Sequence, residues 1–177
     1  MLTSKPLPLG LSLEPLAADG TVDALVERAF RANPTAVEPG RLATRLRARA
    51  TALDGLCLAM RQGGTLRASL QSWPVTLDAD LARTSLVLIG PVAVHPEWQD
   101  RGLGGALMSA VVDRLTRAAV LVGDPGYYGR WGFAADATRC WRVDGEVERD
   151  RLLIREALDP LPREGWLRAA GREWGSD

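Results

Sequence analysis

Apolar and polar residues alternate over residues 11–16 (Leu-Ser-Leu-Glu-Pro-Leu), the period of a short strand, and Asp19-Gly20 predicts a turn after it. Val22, Leu25, Val26, Ala29 and Phe30 then recur at helical spacing, with Thr21 as N-cap and Asp23 in the first turn, until Asn33-Pro34 stops the pattern. A second helix is expected from Pro39, a good first-turn residue, with Leu42, Leu46 and Leu53 as its buried stripe. Gly55-Leu-Cys-Leu-Ala-Met60 and Leu66-Arg-Ala-Ser-Leu-Gln71 read as strands, and Gly63-Gly64 as the hairpin turn between them. A polar connection is expected after Trp73-Pro74.

The next strand runs over residues 85–94. It has no polar side chain from Leu86 onward, which predicts burial on both faces in the centre of a sheet. Pro91 cannot donate to a ladder, so Gly90-Pro91 marks the point where this strand bulges and parts from a neighbour. A helix follows from Gly102 with Leu103, Ala106, Leu107, Ala110, Val111 and Leu115 on one face. Val120-Leu-Val122 is a short strand, Tyr127-Tyr-Gly-Arg a single short helix, and Trp131-Gly-Phe-Ala leads into another strand. Residues 151–156 make the last strand, and the stretch through Trp166 and Trp174 reads as a loose helix or tail. The domain expected from this order is residues 11–156, between a flexible start (1–10) and a tail or short helix (157–177).

Composition narrows the chemistry. With 177 residues, 46% hydrophobic, 25% charged and a formal net charge of zero, the chain can bury one sizeable core, and bulk disorder is excluded. No window approaches the ~20 apolar residues of a membrane span, so the expected location is cytoplasmic, with no membrane partner. The single histidine, His95, and single lysine, Lys5, exclude multi-histidine metal sites, a P-loop and Schiff-base chemistry. Cys57 and Cys140 have no partner motif, and no metal is expected. Without a basic excess, nucleic acid is not an expected partner. Arg41, Arg45, Arg47 and Arg49 on the second helix read as a solvated face rather than a lip for an acidic ligand.

The informative stretch is Gly90-Pro-Val-Ala-Val-His-Pro-Glu-Trp-Gln-Asp-Arg-Gly-Leu-Gly-Gly-Ala-Leu107: a buried strand, a tight turn, and a helix with a glycine-rich first turn. Unpaired N–H groups at a helix start attract anions, and Gly102, Gly104 and Gly105 let a phosphate approach the backbone. A dinucleotide fingerprint fails because Leu107 stands where its third glycine belongs. The pattern Gln-x-x-Gly-x-Gly spans Gln99 to Gly104, and Tyr128 follows in Tyr-Tyr-Gly-Arg-Trp-Gly-Phe.

This combination resembles the GNAT superfamily of acyl-coenzyme A dependent N-acetyltransferases, and the phrases around it resemble a bacterial subgroup of predicted acetyltransferases. The resemblance covers roughly residues 11–156. It implies an α/β (α+β) fold with a mixed, mostly antiparallel sheet of about six or seven strands, about four flanking helices, and a splay between the fourth and fifth strands. It further implies acetyl-CoA as cosubstrate, with the pantetheine arm on the backbone of Val92, Ala93 and Val94. The pyrophosphate would lie on Gln99, Asp100, Arg101, Gly102, Leu103, Gly104 and Gly105. Asp100 departs from the frequent glycine and brings a negative charge near phosphate, so Arg101 must offset it or Asp100 must point away.

The activity implied is acetyl transfer to a primary amine of a small molecule, by direct attack in a ternary complex. An amine with a pKa of ~10.4 is almost wholly charged at neutral pH and needs a base or a desolvating site. The amide near Val94 could polarise the acetyl carbonyl. Tyr128 falls where family members place the general acid, with Tyr127 as the competing donor. The base is unassigned: Thr84 and Ser85 are the polar side chains of residues 84–94, and His95 reads as a turn element. The alternative is a coenzyme A binding module that is weak or inactive as a catalyst, which the missing strand acid supports. The acceptor would be bound by the first two helices and loops 72–84, and Trp166 and Trp174 could dock on a second subunit in a homodimer.

Overall fold

In a computed structural model, residues 8–17, 20–32, 41–48, 50–80, 82–157, 160–171 and 174–175 are described. The chain divides into two compact units, one made of residues 1–38, 53–72 and 91–114, the other of 39–52, 73–90 and 115–177.

In the first unit, β1 (Leu11–Pro15) pairs antiparallel with β2 (Leu58–Gln62), which pairs antiparallel with the opening of β3 (Thr65–Ala79) across the Gly63-Gly64 turn. Both turn glycines have positive φ, +54° and +79°, as a tight hairpin requires. Helix α1 (Gly20–Ala32) starts one residue before the expected Thr21 cap. It buries Val22, Leu25 and Ala29 against Ala59, Leu66 and Ala93, while Val26 is half-buried beside them. The stops expected at Asn33-Pro34 and the start at Pro39 lie outside the described residues.

The second unit has the larger core. Leu42 and Leu46 of α2 (Arg41–Arg47) pack with Val75, Leu77, Leu86, Leu88, Val120, Trp141, Leu152 and Leu167. Here β4 (Ala82–Val94) runs parallel to β5 (Ala119–Val122), and β5 is antiparallel to β7 (Leu152–Arg155). Strand β8 (Glu164–Ala169) pairs antiparallel with the second half of β3 and parallel with β6 (Cys140–Val143). Along the sheet the hydrogen-bonded order is β1-β2-β3-β4-β5-β7, eight strands among the described residues with β6 and β8. Together with α1, α2, α3 (Leu103–Val112) and α4 (Pro125–Tyr128), this is the mixed, mostly antiparallel α/β architecture expected.

Several local expectations are corrected. Helix α2 ends at Arg47, so Leu53 is not on its stripe; its N–H instead donates to Ser72 O at 2.8 Å. Residues Asp54–Leu56 form a 3-10 turn, and the strand expected from Gly55 begins at Leu58. The polar connection after Trp73-Pro74 is strand: β3 continues to Ala79, and β4 begins at Ala82. Pairing of β2 along β3 ends at Leu70 and that of β8 begins at Val75, so on this edge of β3 Pro74 lies in the gap between the two partners. Residues 72–79 and 82–84, expected as loops, are therefore strand.

Leu115 lies beyond α3, which ends at Val112. After Trp131, Ala134 makes one isolated bridge to Ile154 and a 3-10 turn intervenes before β6. The strand at residues 151–156 is not the last, because residues 164–169 form β8 rather than a helix or loose tail. Trp174 belongs to the same unit: its indole N–H reaches Val75 O and Leu86 O at 3.1 and 3.0 Å. Arg45 is exposed and donates to Asp144 O, in line with a solvated face, whereas Arg47 is half-buried with its guanidinium over Trp73. Cys57 is buried and Cys140 exposed, and both are free thiols.

Candidate active site

The break in β4 has a plain cause. Gly90 has φ +134°, a backbone conformation that side chains disfavour, although nothing lies within 4 Å of where a Cβ would be. Its carbonyl accepts the Trp73 indole N–H at 2.9 Å, so a side chain occupies the acceptor at the bulge. Pairing of β4 with β5 covers Val87↔Ala119 and Leu88↔Val120 and stops there, just before Gly90, while β7 pairs with the whole of β5 along its other edge. The parting therefore falls where Gly90-Pro91 predicted it.

In the first unit, Val92, Ala93 and Val94 end β4, with Ala93 buried in the core beside α1. The chain then turns at His95, whose N–H donates to Arg67 O at 2.8 Å, and passes through a 3-10 turn at Pro96–Trp98. Gln99 ties the loop back to the strand by donating its side-chain N–H to Val94 O at 3.4 Å. Asp100 has φ +59°, the left-handed conformation that Asp and Asn tolerate better than most residues, which explains why glycine is a natural alternative there. Gly102 is the N-cap of α3 at φ +85°, with no side-chain capping bond. Leu103, Gly104 and Gly105 thus open the helix without a side-chain cap, and their amides and the dipole favour an anion. Arg101 and Arg67 place their guanidinium groups 4.9 and 5.0 Å from the Trp98 ring centroid.

His95 is held by its neighbours. Its Nε2 lies 3.0 Å from Arg28 Nη1, and because a guanidinium only donates, this nitrogen accepts. The imidazole is committed to joining α1 to the turn, in keeping with a structural role.

In the second unit, Asp124 caps α4 by accepting the Gly126 N–H at 2.9 Å, and its carbonyl accepts from Tyr127 and Tyr128. The Cδ2–Cε2 edge of the Tyr128 ring lies against Gly123: a Cβ there would be 2.3 Å from Cε2. Tyr127, Trp131 and Phe133 surround it at 4.9, 6.3 and 6.4 Å between centroids. Burial pushes the Tyr128 phenol up to about 12, helped by Tyr127 and Asp124 and opposed by Arg151. Tyr128 is therefore protonated at neutral pH, the state a proton donor needs. Tyr127 is also raised by burial, and Arg130 lies 4.6 Å over its ring and donates to its carbonyl.

A sequence model described as the acetyltransferase (GNAT) family matches residues 23–124, more than half of the chain. The chain belongs to the GNAT acetyltransferase family. Its fold is similar to that of a GNAT family acetyltransferase from Brucella melitensis solved in complex with acetyl-CoA, with 24% identity and a TM-score of 0.61 over 91% of this chain and 96% of that one. It is equally similar to the GNAT family N-acetyltransferase YhbS from Escherichia coli solved in complex with CoA, with 22% identity and a TM-score of 0.62 over 94% and 91% of the two chains. At these identities the likeness is one of fold. No curated protein sequence matches.

For this GNAT chain no β4 side chain stands out as a base. Ser85 is buried and its Oγ accepts the Gly175 N–H at 3.1 Å, and Thr84 is half-buried. Among the described residues no helix is long and apolar enough to cross a membrane, and no group of three or more His, Cys, Asp or Glu could hold a metal ion. Sequence reading missed Trp73, Trp98 and Arg151. Each acts on a residue distant along the chain or through its ring face, and no local spacing announces that.

Proposed function

We propose that this chain transfers an acetyl group from acetyl-CoA to a primary amine of a small molecule. The observation that carries the reading is the uncapped, glycine-opened start of α3, reached through a β4 that Gly90 releases from its neighbour. In this reading the backbone of Val92 and Val94 takes the amides of the pantetheine arm, and the loop from Gln99 to Gly105 takes the pyrophosphate. Arg101, held over Trp98, supplies positive charge against which the Asp100 carboxylate is set. Acetyl-CoA supplies an activated thioester. The Val94 N–H is the donor suited to the acetyl carbonyl, since its own carbonyl is engaged by Gln99. Tyr128 gives its proton to the departing sulfur.

Binding is tested by the melting temperature with acetyl-CoA, using NAD and ATP as controls. Ligand at 100 times its dissociation constant adds ~2.7 kcal/mol, a rise of roughly 5–10 °C for a domain of this size. A specific rise, abolished by Gly104→Val in a folded protein, supports the coenzyme reading, and no rise in ligand-free protein rejects it. Thiol release from acetyl-CoA with a panel of amines then tests turnover. A second reading, a coenzyme-binding module without useful turnover, is favoured by the absence of an acid on β4; binding without thiol release would establish it.

A further inference from the structure

The pairing of β2 with β3 skips one residue. Met60 faces Ala68 and Arg61 faces Leu66, so Arg67 is the extra residue of a bulge, opposite no residue of β2. Such a bulge re-aims a side chain out of the regular alternation of a strand. The Arg67 carbonyl accepts the His95 N–H at 2.8 Å, which ties this point of β3 to the turn that follows β4. Its guanidinium lies 5.0 Å from the ring centroid of Trp98 in the same turn. Arg67 as a whole is half-buried, but its Nε is buried and has no hydrogen-bond partner among the described residues.

Trp98 receives a second cation. Arg101, exposed in the loop itself, lies 4.9 Å from the same centroid. The two guanidinium carbons are therefore at most about 10 Å apart, the sum of their distances to one point, and within a Debye length of ~10 Å at 0.1 M salt. A third cation, Arg28 of α1, donates to His95 Nε2 at 3.0 Å. Residues 95–101 thus draw guanidinium groups from α1, from β3 and from the loop, while their own carboxylates are Glu97 and Asp100. Glu97 is exposed, with Oε2 4.0 Å from His95 Nδ1. An aromatic face attracts each cation, but the cations repel one another, and a bound anion relieves that repulsion. Resting on the reading that the loop from Gln99 to Gly105 takes coenzyme phosphate, we propose that Arg67 is a further coenzyme-binding residue, which with Trp98 as its platform donates to a phosphate group of acetyl-CoA.

Coenzyme A carries phosphate in two places, the pyrophosphate and the ribose 3′-phosphate. A guanidinium pairs with either through parallel N–H···O bonds and stays charged at any pH the protein survives. Arg67 stands 32 residues before Gln99, on a strand rather than in the glycine-rich loop, so no spacing within the loop's own pattern announces it. Backbone amides at the start of α3 bring partial charges to an anion; Arg67 brings a full one from the neighbouring strand.

Calorimetric titration of the ligand-free protein with CoA and with 3′-dephospho-CoA tests this. Arg67→Gln is expected to weaken CoA binding about tenfold, the scale of one hydrogen bond between charged partners. A loss confined to CoA assigns the 3′-phosphate as the partner, and a loss shared by dephospho-CoA assigns the pyrophosphate. In both cases the affinity of the variant should depend less on salt than that of the parent. Arg67→Lys should recover part of the affinity, because its ammonium keeps the charge without the planar fork. Unchanged affinity for both ligands overturns the proposal. A shared loss that keeps the parent's salt dependence, with Lys no better than Gln, also overturns it, since Arg67 would then only pack against Trp98. If Gln destabilises the free protein, Arg67→Met keeps the aliphatic stem and carries the same comparisons. A parent protein that binds neither ligand rejects the coenzyme reading itself and this proposal with it; a parent that binds while Arg67→Gln binds equally well rejects the role of Arg67 alone.

Discussion

Gly123→Ala should be damaging although a single methyl group is added. Gly123 is not among the glycines with positive φ, so alanine meets no backbone strain there. The difficulty is the Tyr128 ring, whose Cε2 and Cδ2 lie 2.3 and 2.6 Å from the new Cβ, with Leu121 Cδ1 at 3.2 Å. Carbon atoms in contact prefer ~3.5–4.0 Å, so the ring must withdraw by more than about 1 Å. It would withdraw among Tyr127, Trp131 and Phe133, which already surround it. Overpacking of this kind costs about 1–3 kcal/mol, or roughly 2–12 °C in melting temperature for a domain of this size.

The control is Gly129→Ala, six residues away in the same segment. Gly129 has φ −56° and ψ −28°, and nothing lies within 4 Å of its Cβ position. Alanine there should be neutral or stabilise by about 0.4–1 kcal/mol through the unfolded chain. Thermal melts of the two variants should move in opposite directions from the parent. A shift of the phenol by about 1 Å should also cut thiol release by up to ~100-fold in Gly123→Ala and leave Gly129→Ala near the parent rate. If Gly123→Ala melts with or above Gly129→Ala, the ring does not rest on Gly123 and the geometry given for the acid is wrong.

Four further outcomes are expected. Asp100→Asn keeps a residue that tolerates φ +59° while removing a negative charge from the loop, so acetyl-CoA should bind several-fold more tightly by calorimetry with little change in melting. Gly102→Ala forces a Cβ into φ +85° and should lower stability by about 1–2 kcal/mol, with weaker coenzyme binding. Trp73→Phe removes the donor to Gly90 O and should cost about 1–3 kcal/mol in chemical denaturation. Between the ordinary phenol value of 10.0 and about 12, the unfolded chain gives up the Tyr128 proton and the folded chain keeps it. Stability should therefore fall as pH rises through this window, by about 2–3 kcal/mol at its end, and Tyr128→Phe should flatten that part of the pH–stability curve.

What could be read from the sequence was local. The bulge at Gly90-Pro91, the hairpin at Gly63-Gly64 and the glycine-rich opening of α3 each depend on a backbone preference carried by the residues themselves, and each stands where it was expected. The polar connection after Trp73-Pro74 was misplaced because a proline inside an apolar-polar alternation reads as an interruption. Its place in the gap where the pairing of β2 ends and that of β8 begins is set by two strands about 100 residues apart in the chain. Strand β8 was hidden for a related reason: Glu164 and Arg168 are exposed on it, and only Leu167 is deeply buried. Its place is fixed by two partners rather than by its own pattern.

The site divides along the same line. A proton donor can be guessed from Tyr-Tyr-Gly-Arg-Trp-Gly-Phe, but the two tyrosines in it are equivalent as letters. They differ because Arg130 covers the face of Tyr127 while Gly123, which has no side chain to intervene, receives the ring of Tyr128. Burial then holds the Tyr128 phenol neutral, and the same burial makes its phenolate costly to form.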